Sequence, residues 1–376
     1  MLKCEDFFKL CKKYNFTFFS GVPDSTFKSW MSFLEKKDKE KKLRNIVCAN
    51  ECEAIAICAG YHLSTGNIGV AYMQNSGFGK TVNPLTSLCD PAVYSIPVLL
   101  MIGWRGEPGV KDAYQHHKMG PMTIPLVELL DIHYTILSDK IRDVEKTLKK
   151  ARKYMKENNR SYALIIRKNI FEKLEEKKDS SSQKLSREMA IKEILSSFDG
   201  DEIIVSTTGK TSRELYENRI DKDLCKHDFY NIGAMGCAQS IAFSIALNHP
   251  EKKIWVFDGD GSVLMQMGAL ATIGHYAPEN LYHIIFDNQA HDSTGGQPTN
   301  SDTVDFDKVA LACNYRSAHV IQKAEDIRKT ISRLKKQKGP LMIIIKVKKG
   351  SRENLGRPSI PPKKHKELFM KHLQGD

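Results

Sequence analysis

Residues 254–261 read IWVFDGDG, and residues 281–288 read LYHIIFDN. Each stretch is an apolar run that ends in polar residues, which is the pattern of a buried strand followed by a loop. The carboxyl ends of parallel strands lie at one edge of a sheet, where open α/β proteins bind ligands. We therefore expect Asp260 and Asn288 to lie close together. A carboxylate and an amide oxygen suit Mg²⁺, particularly a Mg²⁺ ion that carries a diphosphate.

The composition is that of a globular protein. With 376 residues the chain is long enough for two domains, and 41% apolar with 27% charged residues is typical of a folded, water-exposed chain. No apolar run approaches the ~20 residues that span a membrane, and the N-terminus lacks the apolar core of a signal peptide. The nine cysteines form no CxxC pair and no zinc-like cluster. We therefore expect reduced thiols, a cytoplasmic protein and no membrane partner.

The net charge of +12 raises the question of nucleic-acid binding. The lysines occur in clusters that are partly mixed with acids and are not interleaved with aromatic residues. These clusters lie at residues 35–42, 149–156, 173–178, 335–338 and 362–371. Such clusters are typical of solvated helix faces and loops. We expect no nucleic-acid partner, and only a general attraction for anionic substrates.

Strand-like runs alternate with helix-like runs along the whole chain. Six such runs in the first half lie at residues 16–19, 45–49, 68–73, 98–104, 134–137 and 162–167. Six more lie at residues 202–206, 229–232, 253–257, 281–286, 315–320 and 341–347. This alternation, repeated twice, predicts two doubly wound parallel sheets with helices on both faces.

The charge-rich and serine-rich residues 173–186 show no apolar periodicity. They predict a linker between a first domain of residues 1–172 and a second domain of residues 187–376.

A second segment of interest begins at Asn50. Residues 50–61 read NECEAIAICAGY, so Glu51 stands where a strand ends and an almost uncharged helix begins. A glutamate in the first turn of a helix is also explained by the helix dipole alone. Glu53 is interpreted as surface or interface charge. Position by itself therefore leaves the role of Glu51 open.

Together the two segments resemble the thiamine diphosphate enzymes. Residues 50–66 resemble their pyrimidine-binding domain, and residues 259–288 resemble their diphosphate-binding domain. The resemblance extends over residues 7–347 and implies the two-domain thiamine diphosphate fold, with the pyrimidine domain first. Finer strings resemble the phosphonopyruvate decarboxylase family, namely GVPDS at 21–25, NSG at 75–77, GWRGEPG at 103–109, TTGKTSREL at 207–215 and AHDSTGGQPT at 290–299.

The resemblance implies roles for individual residues. Glu51 would hydrogen-bond the aminopyrimidine ring and promote loss of the proton from the reactive carbon of the cofactor. Asp260, Asn288 and the backbone carbonyl of Ala290 would bind Mg²⁺. The other cofactor-binding residues would be Gly259, Gly261 and Ser262 near the diphosphate, with Gly233 and Met235. Met235 matches the residue that bends the cofactor, although ordinary core packing also explains it.

The implied substrate is a ketone flanked by a carboxylate and a phosphonate, so its pocket needs donors and cations. The substrate-binding candidates are Ser25, Asn75, Arg105, Lys111 and His117, and the candidate proton donors are His116 and His291. The family pattern Asp-Glu-Pro-Gln-His reads DAYQH at residues 112–116, which puts the loop conformation and the substrate preference in question. His116 and His117 are also explained as solvated loop residues. Asp24 is explained equally well as a helix cap and as a residue that reaches the active site.

The activity implied by the resemblance is the thiamine diphosphate- and Mg²⁺-dependent, nonoxidative decarboxylation of 3-phosphonopyruvate. The products would be phosphonoacetaldehyde and CO₂, in phosphonate biosynthesis of the 2-aminoethylphosphonate type. The resemblance also implies a homo-oligomer, because in this family the pyrimidine domain of one subunit faces the diphosphate domain of another.

Two alternatives remain. Sulfopyruvate decarboxylase uses the same chemistry, but the fused two-domain chain and the strings at residues 211–215 and 295–299 favour phosphonate. A non-catalytic interaction protein on the same fold is the second alternative. The presence of Glu51, Asp260 and Asn288 together argues against it.

Overall fold

The computed structural model describes residues 1–174, 184–220 and 224–375. The chain divides into two units, Met1–Lys177 (unit 1) and Lys178–Asp376 (unit 2). Most of the predicted linker at residues 173–186 lies outside the described residues. The bounds of the linker and of the two domains therefore stay predictions.

Unit 1 is built on a six-stranded sheet in which every pair of neighbours is parallel, in the order β2-β1-β3-β4-β6-β5. Its strands are β1 Phe18–Gly21, β2 Arg44–Val47, β3 Val70–Gln74, β4 Leu99–Gly103, β5 His133–Ile136 and β6 Tyr162–Ile166. Its helices are α1 Cys4–Lys13, α2 Lys28–Lys39, α3 Glu51–Thr65, α4 Asn75–Phe78, α5 Val82–Pro84, α6 Met119–Leu129 and α7 Ile141–Asn158.

The sheet of unit 1 is buried on both faces. All five residues of β4 are buried. Leu99 and Met101 belong to one core with α1, α2 and α7, whereas Leu100 and Ile102 belong to the opposite core with α3 and α6. Because both faces need apolar side chains, the strand reads as one continuous apolar run.

Unit 2 repeats this architecture, with an all-parallel sheet in the order β13-β14-β10-β9-β7-β8. Its strands are β7 Ile203–Ser206, β8 Phe229–Tyr230, β9 Ile254–Gly259, β10 Leu281–Asp287, β13 Ser317–Ile321 and β14 Leu341–Lys346, and a separate hairpin joins β11 Ala290–His291 to β12 Gln297–Pro298. Its helices are α8 Arg187–Leu195, α9 Lys210–Ile220, α10 Ala238–Asn248, α11 Asp260–Met265, α12 Gly268–Tyr276, α13 Phe306–Ala312, α14 Ala324–Leu334 and α15 Pro362–Gln374.

Alternate residues of β9 serve the two cores of unit 2. Trp255 and Phe257 pack with α8, α9 and α14, whereas Ile254 and Val256 pack with α10, α12 and α13. Each predicted strand overlaps one strand of the two sheets, so the prediction of two doubly wound parallel sheets is confirmed. The β11–β12 hairpin is an addition that the apolar pattern did not predict. None of the helices in the described ranges is long and apolar enough to cross a membrane.

Candidate active site

The ends of three neighbouring strands in unit 2 carry polar side chains. Thr207 follows β7, Asp260 follows β9 and begins α11, and Asn288 follows β10. In the sheet, β8 lies on one side of β7 and β9 lies on the other, so the direction in which strands are added reverses at β7. A crevice is expected between β7 and β9, where this reversal occurs. Asp260 and Asn288 are 2% and 6% exposed. The sheet thus brings both predicted metal ligands to one edge, buried beside a strand end.

Three carboxylates lie at or just after the ends of β9 and β10, and two of them have a cationic partner. Asp287 forms an ion pair with Lys346, and Asp292 forms one with Arg187. Asp260 has no cationic partner among the described residues. A buried carboxylate without a cation is costly unless it is protonated or binds a metal. Of these three carboxylates, Asp260 is therefore the candidate for binding an external cation.

Two hydroxyl groups compensate Asp260 in part. Thr299 Oγ1 donates a hydrogen bond of 2.5 Å to Asp260 Oδ2, and Ser301 Oγ lies 3.0 Å from Thr299 Oγ1. Burial, helped by the negative charge of Asp287, raises the pKa of Asp260 to about 7. Without a metal, the site holds this carboxyl group protonated over most of the acidic range. A divalent cation would displace that proton.

The glycines next to Asp260 differ in the space they face. A Cβ atom at Gly259 would meet no described atom within 4 Å, so open space lies beside the backbone there. A Cβ at Gly261 would lie 2.9 Å from His291 Cε1, so the imidazole ring covers that glycine. Of the two glycines, Gly259 therefore offers the close backbone approach that a phosphate needs.

Ser262, in α11, forms hydrogen bonds with the segments that follow β7 and β8. Its Oγ lies 2.8 Å from Thr207 Oγ1 and accepts a hydrogen bond of 3.1 Å from the backbone N–H of Gly236. The hydroxyl therefore has two partners within the protein. Gly233 and Met235 lie in the same turn between β8 and α10, and both are half-buried. The predicted contact of Ser262, Gly233 and Met235 with a cofactor stays a prediction.

Glu51 occupies the predicted position in unit 1, at the start of α3, and is buried. Asn50 caps this helix, because its Oδ1 accepts from the Glu53 N–H, and Glu53 Oε2 accepts from the N–H of Ala49, the residue before the cap. Glu53 therefore has a structural role at the start of the helix, and the Glu51 side chain takes no part in these two hydrogen bonds. Glu51 Oε2 lies 3.4 Å from Lys80 Nζ, yet it accepts no hydrogen bond from any described residue.

Arg105, Ser25 and Asn75 come together at the ends of β1, β3 and β4. Arg105 donates two hydrogen bonds to Asp112, of 2.8 and 2.6 Å, and one of 3.0 Å to Ser25 Oγ. The guanidinium holds the pKa of Asp112 well below its usual value. Asn75 Nδ2 donates to the Arg105 carbonyl and to Thr123, so both its hydrogens are engaged. Whether these side chains bind substrate stays a prediction.

The loop after Arg105 separates the remaining candidates. His116, in a 3₁₀ turn over Tyr114–His116, is only 4% exposed, whereas Lys111 and His117 are exposed. The buried position of His116 differs from that of an ordinary solvated loop histidine. Asp24 is fully buried and caps the 3₁₀ turn Ser25–Phe27 by accepting from the Thr26 N–H.

Comparisons with known proteins agree with this geometry. Residues 4–124 match the model of the thiamine pyrophosphate enzyme N-terminal TPP binding domain, and residues 208–345 match that of the C-terminal TPP binding domain. A phosphonopyruvate decarboxylase of Streptomyces viridochromogenes is 37% identical over 85% of this chain and 82% of its own. One of Streptomyces hygroscopicus is 36% identical over 91% and 87%.

The chain belongs to the thiamine pyrophosphate enzymes. A sulfopyruvate decarboxylase of Methanosarcina acetivorans is also related, at 28% identity over 95% of this chain and 93% of its own. The predicted resemblance to thiamine diphosphate enzymes, and to phosphonopyruvate decarboxylases among them, is thereby confirmed.

The side chains present fit the cofactor of this family. Its diphosphate and Mg²⁺ require an oxygen ligand without a competing cation, which Asp260 supplies, and open space beside a backbone, which Gly259 supplies. Its aminopyrimidine requires a carboxylate oxygen that is not already engaged. Glu51 Oε2 meets this requirement because it is buried and accepts no hydrogen bond from the described part of the chain.

Several residues of the site were not predicted as such. Thr299 and Ser301 reach the carboxylates of Asp260 and Asp287 only because the β11–β12 hairpin turns the chain back. Gly77 is a second case, since a Cβ there would lie 2.1 Å from Glu51 Oε1. The strings NSG and GGQPT contain Gly77 and Thr299, so their resemblance to the family was the available signal for these two residues, whereas Ser301 lies two residues beyond the second string.

We predict that Gly77→Ala reduces turnover strongly. The added methyl group would overlap the Glu51 carboxylate, so Glu51 would have to leave its position. A displacement of about 1 Å at a reacting group is worth about 100-fold in rate, and we expect a loss of at least that size. Gly79→Ala is the matched control, because its methyl group would meet no described atom within 4 Å and its φ is −58°. Equal turnover of the two variants would contradict this prediction.

We predict that Asp260→Asn stabilises the cofactor-free protein at high pH. The native state retains the Asp260 proton up to about pH 7, whereas an unfolded chain loses it near pH 3.9. The native state therefore binds more protons in this range, and the free energy of unfolding falls as the pH rises from about 4 to about 7. The substitution removes this loss, which is on the order of 4 kcal/mol at pH 8.

Denaturant unfolding of the cofactor-free wild type and variant at pH 5 and pH 8 measures this difference. The stability advantage of the variant should be larger at pH 8. An advantage that is independent of pH would show that Asp260 carries no raised pKa.

Proposed function

We propose that this protein is a thiamine diphosphate- and Mg²⁺-dependent decarboxylase that converts 3-phosphonopyruvate to phosphonoacetaldehyde and CO₂. The observation that carries the proposal is the 36–37% identity with two phosphonopyruvate decarboxylases over 85–91% of the chain. The chemistry of the side chains supports it. Asp260 lacks a cationic partner among the described residues, and one oxygen of Glu51 accepts no hydrogen bond there. The proposed pathway is phosphonate biosynthesis.

The residues of this chain act by binding and orienting. Thiamine diphosphate, when bound, supplies a nucleophilic carbon and an electron sink, which allow a 2-oxo acid to lose CO₂. Asp260, Asn288 and the Ala290 carbonyl would hold Mg²⁺ and, through it, the diphosphate. Glu51 would accept a hydrogen bond from the pyrimidine ring through Oε2. The buried setting of both carboxylates strengthens these interactions, because water does not compete for them.

The two candidate proton donors, His291 and His116, lie in different surroundings. Burial lowers the pKa of His291 to about 4, so its imidazole is neutral at neutral pH. A neutral imidazole has one N–H donor and one acceptor nitrogen and can pass a proton on only as it receives another. His291 is therefore suited to relaying a proton. His116 is the second candidate, because it is buried in the loop that begins at Arg105.

Sulfopyruvate decarboxylation remains the alternative, and one of the arguments against it is weakened. The related sulfopyruvate decarboxylase of Methanosarcina acetivorans matches this chain over 93% of its own length. A fused two-domain chain therefore does not separate the two substrate classes. The higher identity with the phosphonopyruvate decarboxylases is the observation that favours phosphonate.

We predict that phosphonopyruvate is the preferred substrate, with kcat/KM at least about 10-fold above that of sulfopyruvate and of pyruvate. A site built around one anionic group loses binding energy when that group changes or is missing. Aldehyde release, measured in parallel with the three acids at saturating Mg²⁺ and thiamine diphosphate, tests this order. Faster turnover of sulfopyruvate would overturn the substrate assignment and leave the cofactor assignment intact.

We further propose a homo-oligomer in which Glu51 of one subunit and Asp260 of another serve the same cofactor, as the family resemblance implies. A cytoplasmic location is also proposed. The nine cysteines, all free thiols, support it, because reduced cysteines are typical of that compartment.

We predict that two inactive variants restore activity when their subunits are mixed. Glu51→Gln and Asp260→Asn should each be inactive alone. A mixed dimer contains one site with both native residues if the two residues come from different subunits, so random exchange should return up to about a quarter of wild-type turnover. Unfolding and refolding the two variants together, with each refolded alone as control, measures this. No recovery in a verified mixed oligomer would place both residues of one site in one chain.

A further inference from the structure

A continuous chain of hydrogen bonds lies behind the predicted metal ligand Asn288. Asn288 Nδ2 donates to Asp292 Oδ2 at 2.7 Å, and Arg187 Nη1 donates to the same oxygen at 3.2 Å. Arg187 in turn donates two hydrogen bonds to Glu214, from Nε at 2.7 Å and from Nη2 at 3.1 Å. The side chains of Arg187, Glu214 and Asp292 are 6%, 1% and 8% exposed.

We propose that Asp292, held in place by Arg187 and Glu214, is a positioning residue that orients the amide of Asn288 toward Mg²⁺. This inference rests on the proposed function, because it takes Asn288 to be a metal ligand. It assigns a role to three residues that the cofactor chemistry itself does not require.

The two ends of an amide group interact differently with a cation. The NH₂ end of an asparagine repels a cation, and only the oxygen can bind Mg²⁺. An ionised carboxylate accepts hydrogen bonds and donates none, so Asp292 can interact only with the NH₂ end of Asn288. The backbone N–H of Ala290 donates to Asn288 Oδ1 at 3.0 Å. The two contacts together leave the amide a single orientation.

Asp292 itself is poorly suited to bind the metal. Its Oδ2 receives Asn288 and Arg187, and its Oδ1 receives the backbone N–H of Gly350 at 3.0 Å. Both oxygens therefore have partners within unit 2. A carboxylate with this set of donors is engaged in holding its neighbours, and its effect on a metal would act through Asn288.

Arg187 connects two helices through its buried guanidinium. It is the first residue of α8, and Glu214 lies in α9. Two N–H groups of the guanidinium each donate to one oxygen of the Glu214 carboxylate. This bidentate contact fixes the direction of the third N–H group, which reaches Asp292. One cation between two carboxylates leaves an excess negative charge next to Asn288. That charge favours a divalent cation at the amide oxygen.

The test is the affinity for Mn²⁺, which substitutes for Mg²⁺ at oxygen ligands and is detected by electron paramagnetic resonance when free. Asp292→Asn should weaken Mn²⁺ binding in the presence of thiamine diphosphate about 10-fold, as expected when a residue behind a metal ligand is changed. Asp302→Asn is the matched control, because it removes the same charge from an exposed position ten residues away. It should bind Mn²⁺ as wild type does.

A steady-state measurement separates positioning from general damage. If Asp292 acts through the metal, Asp292→Asn should raise the Mg²⁺ concentration for half-maximal turnover about 10-fold, and saturating Mg²⁺ should restore most of kcat. A low kcat at all Mg²⁺ concentrations, with unchanged Mn²⁺ affinity, would overturn the proposal. Arg187→Lys keeps the positive charge but loses the paired N–H groups that hold Glu214 and Asp292 at once, so it should also weaken Mn²⁺ binding. If Asp292→Asn does not fold, Arg187→Lys provides the test. Wild-type Mn²⁺ affinity in Arg187→Lys would then contradict the proposal.

Mn²⁺ binding by the wild type separates the cofactor assignment from the role of Asp292. If the wild type binds no Mn²⁺ in a manner that depends on thiamine diphosphate, the cofactor assignment is wrong. If the wild type binds and Asp292→Asn binds equally well, only the positioning role is wrong.

Discussion

The burial of a carboxylate without a cation is the constraint on which the site in unit 2 depends. Asp260 is 2% exposed at the end of a parallel strand, and hydroxyl groups are its compensation in the described structure. Its neighbours Asp287 and Asp292 form ion pairs with Lys346 and Arg187. A buried acid with a raised pKa and no cationic partner among the described residues has the properties expected of a metal ligand. If Asp260 binds Mg²⁺, as proposed, the stability lost at Asp260 is the cost of cofactor binding.

Much of the fold was predictable because parallel sheets have a simple signature. Strands such as β4 and β10 are buried on both faces, so their sequences are continuous apolar runs that neither turns nor amphipathic helices imitate. The candidate metal ligands Asp260 and Asn288 follow directly at two strand ends, which is why their places in the fold were also predictable, and their metal-binding role stays a prediction. The β11–β12 hairpin was not, because two-residue strands have no periodicity to detect.

The contacts that depend on side-chain direction could not be predicted from the sequence. Arg187 and Asp292 are separated by 105 positions, and nothing in the local pattern of either indicates the other. The overlap between a side chain at position 77 and the Glu51 carboxylate is likewise visible only in three dimensions. His116 lies in a polar loop sequence and is nevertheless buried, because backbone turns, and not apolar periodicity, carry it inward.

The charges around Arg105 bear on the choice between phosphonate and sulfonate. These two anions differ mainly in charge, so a pocket that separates them needs a cation whose charge is not already balanced. Arg105 is paired with Asp112 through two hydrogen bonds, and it therefore offers a ligand its remaining N–H groups but little net charge. Lys111 lies exposed on the same loop and has no ion-pair partner among the described residues. If both residues bind the substrate, as predicted, discrimination between the two acids would depend more on Lys111 than on Arg105.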